Sequence, residues 1–196
     1  MTLLDERPAA ASGARRAMID SQLRVSGVNE PAVLAAFARV AREDFVPAAQ
    51  AASAYIDRAV PLDGGASLAA PLVHGRMLIE AMPTAGDKVL VVSASGYLAA
   101  LVSAMGAGVT LVSPAALADA SGSYSLILID GAAEDVPAAL SALLADDGRV
   151  VTGLVQSGVT RLAIGRKAAG ALALAAVADI GMPVIAEFAA PKRWSF

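Results

Sequence analysis

The residues best placed to do chemistry follow an apolar run near the middle of the chain. Lys88–Val92 is rich in β-branched residues, and the small residues Ser93, Ala94, Ser95 and Gly96 come directly after it. An apolar helical pattern and a second β-branched run follow, so the order is strand, tight turn, helix and strand. In nucleotide-binding α/β sheets this turn holds a cofactor. These small residues are therefore the first candidates for a cofactor site.

Polar residues at the ends of two other predicted strands belong to the same candidate site. Ser113 follows the second strand of the unit, and Asp130 follows the apolar run 124–129. The carboxyl ends of parallel strands meet at one edge of a sheet, and ligands bind there in such folds. Asp130 either contacts a ligand at this edge or caps the turn at Gly131 and the helix after it.

His74 is the single histidine of the chain, and it lies in a predicted helix over 71–82. A histidine can act as a general base near neutral pH, but one beside an apolar helix face more often has a structural role. Both roles stay open. Asp146 and Asp147 form a turn with Gly148 and offer too few converging ligands for a metal. We therefore assign no catalytic residue and expect no metal.

Composition limits the class of protein. The chain has 196 residues, of which 57% are hydrophobic and 17% charged, and its mean hydropathy is +0.62. These values indicate one compact unit with a large core and apolar surface left for a partner. A net charge of -3 without a basic block argues against nucleic acid. The absence of cysteine, of a signal-peptide pattern and of an apolar stretch long enough to span a bilayer favours a cytoplasmic location.

A helical layer and a central sheet would hold the candidates in place. Residues 1 to about 14 are predicted as a loose tail, and Asn29 is a good N-cap for a helix that begins at Pro31. The other elements follow from periodicity. The predicted helices are 14–25, 31 to the stop at 45–47, 71–82, 97–105 and 137–145, and the predicted strands are 88–92, 108–112, 124–130 and 148–154.

The region after the last of these strands is predicted to form an antiparallel hairpin from 159–166 and 171–178. An alanine-rich helix over 168–178 is the alternative. Pro183–Phe196 is predicted as a C-terminal tail with an aromatic end. Together the elements predict an α/β fold in which a doubly wound, mostly parallel sheet ends in this hairpin and lies beside an N-terminal helical layer.

The helical layer carries a resemblance that is more specific than any single motif. Its residues match one family in order and spacing at Met18, Gln22, Leu23, Gly27, Val33, Leu34, Phe37, Val40, Arg42, Glu43, Phe45, Val46, Pro47, Ala54, Tyr55, Asp57, Pro61 and Leu62. By these residues the chain resembles the protein-L-isoaspartate O-methyltransferase family, and the match covers almost the whole length. The resemblance implies a Rossmann-like methyltransferase fold, S-adenosylmethionine as cofactor and isoaspartyl protein as substrate. It also implies a division into a helical layer with a substrate-type loop, 1–86, and a methyltransferase domain with its tail, 87–196.

The main departures from the family lie in the implied cofactor pocket. Val91 stands where the family has an acid, and Ser93 and Ala94 replace glycines in a turn that is one residue short. Glycines are needed there because the backbone must bend sharply and approach the cofactor without a Cβ in the way. The ribose-binding acid after the second strand is replaced by Ser113, which carries no charge.

Further departures affect the third strand and the substrate loop. The segment between the second predicted strand and the next is too short for a helix, a strand and a loop, so we expect the usual third strand to be absent. The substrate loop has Ser67, Leu68 and Ala69 where the family has Thr, Ile and Ser, so its last hydroxyl is lost. His74 falls where the family often has a histidine.

The helical layer matches the family closely, whereas the implied cofactor pocket and substrate loop do not. This contrast favours a pseudoenzyme that acts as a binding or scaffold protein. Active methyl transfer to isoaspartyl protein is one alternative, since methyl transfer relies mainly on alignment of donor and acceptor. A pocket reused for another small ligand, lined by Ser93, Ser95, Ser113 and Asp130, is the other. Loss of the third strand would leave 109–112 as a free sheet edge, so we also expect a homodimer or another protein partner there.

Overall fold

The computed structural model describes residues 6–168 and 170–191, and it begins with a layer of short helices. Helix α1, Glu6–Met18, continues as a π-helical turn at Ile19–Leu23 and a 3₁₀ turn at Arg24–Ser26. Gly27 ends this run, as predicted, with a left-handed φ of 85° that glycine adopts without strain. From residue 6 onward the predicted loose tail is wrong, because the alanine-rich segment before residue 14 forms the first turns of α1. Residues 1–5 of that prediction lie outside the described part of the chain.

Helix α2, Pro31–Arg39, differs from its prediction at both ends. Its N-cap is Glu30, which provides no side-chain cap, so the assignment of Asn29 is wrong. The helix ends well before Phe45–Pro47, and a separate 3₁₀ turn follows at Arg42–Phe45. This break matters for the site, because the 3₁₀ turn carries a buried arginine.

A two-stranded hairpin joins the helical layer to the rest of the fold. Strand β1, Val60–Pro61, pairs antiparallel with β2, Ser67–Leu68, across a 3₁₀ turn at Asp63–Gly65. Helix α3, Pro71–Ala81, follows directly. The predicted helix over 71–82 is thus confirmed to within one residue, and the predicted substrate-type loop contains the second strand of the hairpin, β2.

A six-stranded sheet forms the centre of the fold. Its strands are β3 Lys88–Val92, β4 Gly108–Val112, β5 Tyr124–Ala133, β6 Leu144–Gln156, β7 Val159–Ala168 and β8 Ala171–Asp179. The order across the sheet is β4-β3-β5-β6-β7-β8, with the first four strands parallel and the last two antiparallel. Helices α4, Tyr97–Ala104, and α5, Ala139–Leu143, lie in the connections. The predicted α/β sheet with its C-terminal hairpin is confirmed.

The connection from β4 to β5 is short. In the described chain it contains one 3₁₀ turn, Pro114–Asp119, and no strand. Strand β4 is therefore one edge of the sheet, as predicted for a chain without the usual third strand. The alternative of an alanine-rich helix over 168–178 is wrong, because β8 pairs with β7 along its whole length.

Separate hydrophobic clusters cover the two faces of the sheet. Successive side chains of a strand point to opposite faces, so Val89 and Val91 pack against the helical layer, whereas Leu90 and Val92 lie in the second cluster. Phe188, near the end of the described chain, packs into that second cluster. Of the helices within the described ranges, none combines the length and apolar character needed to cross a membrane.

The chain after β8 returns to the carboxyl end of β5 as a C-terminal strap, residues 182–190. The N–H of Ala132 donates to the carbonyl of Pro183 at 2.8 Å, and the N–H of Ile185 donates to the carbonyl of Ala132 at 2.9 Å. Gly131, with a φ of 153°, allows this approach, because a Cβ on it would lie 2.6 Å from Cγ1 of Ile185. Much of the predicted tail therefore packs on its own sheet, while its aromatic end lies outside the described residues.

Candidate functional site

Ser93, just after β3, and Asp130, within β5, are brought together where the pairing of these two strands ends. The strands are parallel neighbours in which Val92 pairs with Ile129, so the next residue of each lies at the same edge of the sheet. The hydroxyl of Ser93 donates to Oδ2 of Asp130 at 2.7 Å. The sequence placed each residue at the end of a strand, and the register of the sheet makes them partners.

The turn after β3 satisfies its own backbone. Oγ of Ser93 accepts the N–H groups of Ser95 at 3.2 Å and Gly96 at 3.1 Å, and Oγ of Ser95 accepts the N–H of Tyr97 at 3.1 Å. Gly96 is the N-cap of α4 and has a left-handed φ of 77°, while Ala94 is exposed. The N–H groups that a glycine-rich turn would direct at a cofactor are therefore bound within the turn.

Both carboxylate oxygens of Asp130 have partners inside the protein. Oδ1 accepts from Nε2 of His74 at 2.7 Å, and Oδ2 accepts from Ser93. The side chain is 4% exposed. Burial raises the pKa of Asp130, but the proximity of His74, the hydroxyl of Ser93 and the charge of Arg42 outweigh it and hold the pKa below its usual range. The predicted capping role is wrong, because β5 continues past Asp130 to Ala133.

His74 is fully buried on α3 and joins Asp130 to Arg42. Nη1 of Arg42 lies 3.3 Å from Nδ1 of His74. A guanidinium group can only donate, so Nδ1 accepts and the ring proton is on Nε2, where it is donated to Asp130. The hydrogen bonds therefore assign one neutral tautomer of His74, and they give the histidine a linking position rather than that of a free base.

Arg42 is the functional-site residue that sequence reasoning missed. It is fully buried, its Nε donates to the carbonyl of Ala54 at 2.6 Å, and its Nη2 donates to the carbonyl of Ala69. Its guanidinium carbon lies 4.9 Å from the ring centroid of Tyr97, and burial lowers the pKa of Arg42. Its one signal in the sequence was its place among the residues that match the family. We call Arg42, His74, Asp130 and Ser93 the buried polar chain.

The buried polar chain does not form a nucleophilic triad. In such a triad a histidine takes the proton of the serine, and the carboxylate orients the histidine from the other side. Here Ser93 and His74 each bind a different oxygen of Asp130. The hydroxyl of Ser93 thus donates to the carboxylate, not to an imidazole, and the arrangement does not activate Ser93 as a nucleophile.

The remaining features of the implied cofactor pocket do not fit S-adenosylmethionine. Val91, at the position of the first-strand acid, is fully buried in the core. A Cβ built on Gly96 would lie 3.2 Å from Cδ2 of Leu111, so the side chain of Leu111 packs against the turn. Ser113 is exposed at the end of β4 and lies outside the buried polar chain. The donors and the carboxylate that could hold a cofactor are already engaged with one another.

The predicted substrate-loop residues lie in and just after β2. Leu68 and Ala69 are buried, and the carbonyl of Ala69 accepts a hydrogen bond from Arg42. Ser67 is partly exposed and pairs with Pro61 in the hairpin. The structure therefore brings Ala69 to the buried polar chain and leaves Ser67 apart from it.

Comparison with known proteins assigns the chain to a family. Residues 14–114 match the family model described as Protein-L-isoaspartate(D-aspartate) O-methyltransferase (PCMT). A Protein-L-isoaspartate O-methyltransferase of Methylorubrum populi is 34% identical over 70% of this chain and 78% of its own length. One of Koribacter versatilis is 34% identical over 81% of this chain and 84% of its own length.

Solved structures agree on the fold. A putative protein-L-isoaspartate O-methyltransferase from Plasmodium falciparum aligns with a TM-score of 0.68 at 16% identity, over 89% of this chain and 98% of its own. A second protein-L-isoaspartate O-methyltransferase aligns with a TM-score of 0.71 at 17% identity, over 89% of this chain and 67% of its own. The Plasmodium protein was solved in complex with S-adenosyl-L-homocysteine, which confirms the expected cofactor of the family. The chain belongs to the protein-L-isoaspartate O-methyltransferase family.

Proposed function

We propose that this family member has lost methyl transfer and acts as a binding or scaffold protein. The observation that carries the proposal is the closed state of the buried polar chain. Each carboxylate oxygen of Asp130 accepts a hydrogen bond, one from His74 and one from Ser93, and Ser93 in turn accepts the N–H groups of the turn. In the described structure these hydrogen bonds all run between groups of the protein itself.

The energy of this closed state supports the proposal. A hydrogen bond to a charged group stabilises a protein by about 1.5–3 kcal/mol. A ligand that had to break both hydrogen bonds to Asp130 would therefore lose about 3–6 kcal/mol of binding free energy. Micromolar binding corresponds to a total binding free energy of about -8 kcal/mol. The lost glycines and acids leave few interactions to offset that loss.

The test is calorimetric titration of the full chain with S-adenosylmethionine and, separately, with S-adenosylhomocysteine. The relative from Methylorubrum populi serves as the positive control. We expect no binding heat at millimolar ligand and no methyl transfer to an isoaspartyl peptide. Micromolar binding of either ligand would contradict the proposal.

Active methyl transfer to isoaspartyl protein is the second candidate. It is favoured by the match of residues 14–114 to the family model and by the names of the relatives. Incorporation of labelled methyl groups from S-adenosylmethionine into an isoaspartyl peptide, but not into its aspartyl counterpart, would establish it. A pocket for another small ligand is less favoured, because Ser93, Ser95 and Asp130 bind one another and Ser113 is apart from them.

Other predictions from the sequence accompany this proposal. The cytoplasmic location, the division into residues 1–86 and 87–196, and association with a second copy or another protein all stay predictions. The absence of a nucleic-acid partner rests on charge alone, with a net charge of -3.

A further inference from the structure

The chain contains three Asp-Gly pairs, and they lie in very different surroundings. They are Asp63-Gly64, Asp130-Gly131 and Asp147-Gly148. Aspartate followed by glycine is prone to isomerise, because the glycine nitrogen, with no Cβ beside it, reaches the side-chain carboxyl carbon of the aspartate most easily. Whether a given pair reacts depends on the freedom of its backbone, so the structure distinguishes the three pairs.

The pair Asp63-Gly64 lies in the exposed turn between β1 and β2. Both residues are exposed, and Gly65 follows them, so two successive glycines give the turn conformational freedom. Their φ values are 73° and 83°. A Cβ built on either glycine would meet nothing within 4 Å. The turn therefore has the open space in which its peptide planes rotate and a succinimide ring closes.

The pair Asp130-Gly131 is held by the candidate site. The side chain of Asp130 is 4% exposed within β5, and its two carboxylate oxygens accept hydrogen bonds from His74 and Ser93. Gly131 lies under Ile185, and a Cβ on it would lie 2.6 Å from Cγ1 of that side chain. Ring closure here would break both hydrogen bonds and displace the C-terminal strap, so the fold protects this pair.

The pair Asp147-Gly148 is open on one side only. Asp147 is exposed and has a left-handed φ of 59°, whereas Gly148 is buried in β6. A Cβ on Gly148 would lie 2.8 Å from the carbonyl oxygen of Ala145 and 2.8 Å from Cδ1 of Leu144. Rotation of the peptide between residues 147 and 148 is therefore opposed by packed neighbours, unlike rotation at residue 63.

We propose that Asp63 is a modification site at which the folded chain converts an aspartyl into an isoaspartyl residue without an enzyme. The nitrogen of Gly64 attacks Cγ of Asp63, an N–Cγ bond forms, and one water leaves to give a succinimide. Water then adds to the main-chain carbonyl carbon of residue 63 and breaks the bond from that carbon to the nitrogen. The product has the composition of the starting chain, so neither an oxidant nor a reductant is needed. It is an L-isoaspartyl residue, the group named in the description of the family.

The modification changes the backbone of the hairpin. It places Cβ of residue 63 in the main chain and turns the α-carbonyl into a free carboxylate. The loop between Leu62 and Ala66, whose N–H and carbonyl form a hydrogen bond at 2.9 Å, becomes one atom longer. The carbonyl of Ala69, just after β2, accepts from Arg42, so the change occurs a few residues from the buried polar chain. This inference is independent of whether the chain transfers methyl groups.

Ageing of the full chain in water enriched in heavy oxygen tests the proposal, because each succinimide that opens takes up one oxygen from water. After weeks at neutral pH and physiological temperature, trypsin releases residues 59–76, in which Asp63 is the single acid, and residues 89–149, which contain the other two pairs. The protease Asp-N, which does not cleave before isoaspartate, then locates the isomer. We expect label and isomer at residue 63 to exceed those at residues 130 and 147 several-fold. In urea, where the fold no longer protects any pair, the three should react at similar rates.

Two variants complete the test, with circular dichroism showing that both remain folded. Asp63→Glu keeps the charge but needs a larger ring, so label and isomer in residues 59–76 should be lost. The matched control is Asp119→Glu, at an exposed acid that no glycine follows, which should leave the reaction at residue 63 unchanged. Equal labelling of the three pairs in the folded chain would overturn the proposal. So would the absence of isoaspartate at residue 63, or undiminished labelling of residues 59–76 in Asp63→Glu.

Discussion

At the scale of single residues, Ser93 is the side chain that links Asp130 to the turn after β3. Its Oγ donates to Asp130 and accepts from the N–H groups of Ser95 and Gly96. At a position where the family resemblance implies a glycine, a hydroxyl therefore binds both the carboxylate and the turn. One substitution in the turn changes the hydrogen bonding of all the groups around it.

Replacing Ser93 with alanine should destabilise the protein. Ser93→Ala leaves Oδ2 of Asp130 and two N–H groups without their partner, and a buried unsatisfied group costs about 1–3 kcal/mol. We expect a loss of that size in the free energy of unfolding, measured by urea titration. The matched control is Ser113→Ala, at an exposed serine, which should stay within about 0.5 kcal/mol of the wild type. Equal stability of the two variants would contradict the role given to Ser93.

Most residues of the buried polar chain could be predicted as candidates from the sequence, but the hydrogen bonds between them could not. Ser93 and Asp130 were candidates because strand ends were visible in the periodicity, and His74 because it is the single histidine. Arg42 was not a candidate, because its contact with His74 joins residues 32 positions apart on different elements. Local patterns carry no information about such a contact.

At the scale of elements, the C-terminal strap depends on two glycines below it. Gly131 lies under Ile185, and a Cβ on Gly153 of β6 would lie 1.9 Å from Sδ of Met182 and 2.8 Å from Cα of Ala132. The strap can reach the sheet because neither position carries a side chain. These glycines explain how the end of the chain covers a face of the sheet.

Adding one methyl group at residue 153 should displace the strap. Gly153→Ala cannot be accommodated without movement of Met182 or the backbone at Ala132, and overpacking of this kind costs about 1–3 kcal/mol. We expect a lower free energy of unfolding and faster proteolysis near the strap. Gly13→Ala is the matched control. It lies in α1 with open space around it, and alanine should stabilise the helix there by about 0.5–1 kcal/mol. The same sign for both variants would count against this role of Gly153.

Most elements could be predicted because their periodicities were strong. The strands of the sheet and the hairpin at its C-terminal end were placed correctly, since β-branched runs and turn residues define them locally. The first helix was predicted too short. Its carboxyl end is held from a distance, where Nε of Arg15 donates to the hydroxyl of Tyr55 at 2.8 Å and Nη2 contacts Glu43 at 3.2 Å. These contacts fix residue 15, which the sequence already placed in a helix, whereas the missed residues before 14 are helical because alanine favours that conformation.

At the scale of the whole molecule, one ionic cluster joins the helical layer to the sheet. Arg149 of β6 donates to both oxygens of Asp87 at 2.9 Å and to the carbonyl of Ala81 at the end of α3. Asp87 also accepts from Ser125 of β5 at 2.7 Å. The cluster thus connects the start of β3, β5 and β6 with the last turn of α3. It lies near the amino ends of β3 and β5, whereas the candidate site lies toward their carboxyl ends.

Asp87 should make the stability of the protein depend on acid pH. The hydrogen bonds from Arg149 hold the pKa of Asp87 well below its usual range, despite partial burial. Because the folded pKa is lower than the unfolded value of about 4, this stabilisation is complete above pH 5 and is lost as the pH falls below 4. We expect Asp87→Asn to lower the free energy of unfolding by about 1.5–3 kcal/mol at pH 7.

The comparison of two pH values isolates this contribution. Asp130 also has a lowered pKa, so both proteins should lose stability in acid. The difference between wild type and Asp87→Asn should shrink as the pH is lowered from 7 to about 3, measured by urea unfolding at each pH. A difference that stays constant over this range would show that the charge of Asp87 is not the stabilising feature.

The direct connection from β4 to β5 has a consequence for the rate of folding. Parallel strands pair only after the chain between them has closed a loop, and each halving of such a loop lowers the entropic cost by about 0.6 kcal/mol. Because one 3₁₀ turn stands in place of the usual helix, third strand and loop, β3, β4 and β5 pair within a shorter stretch of chain. Proteins with more local contacts fold faster. We therefore expect this sheet to form faster than one that contains the usual third strand.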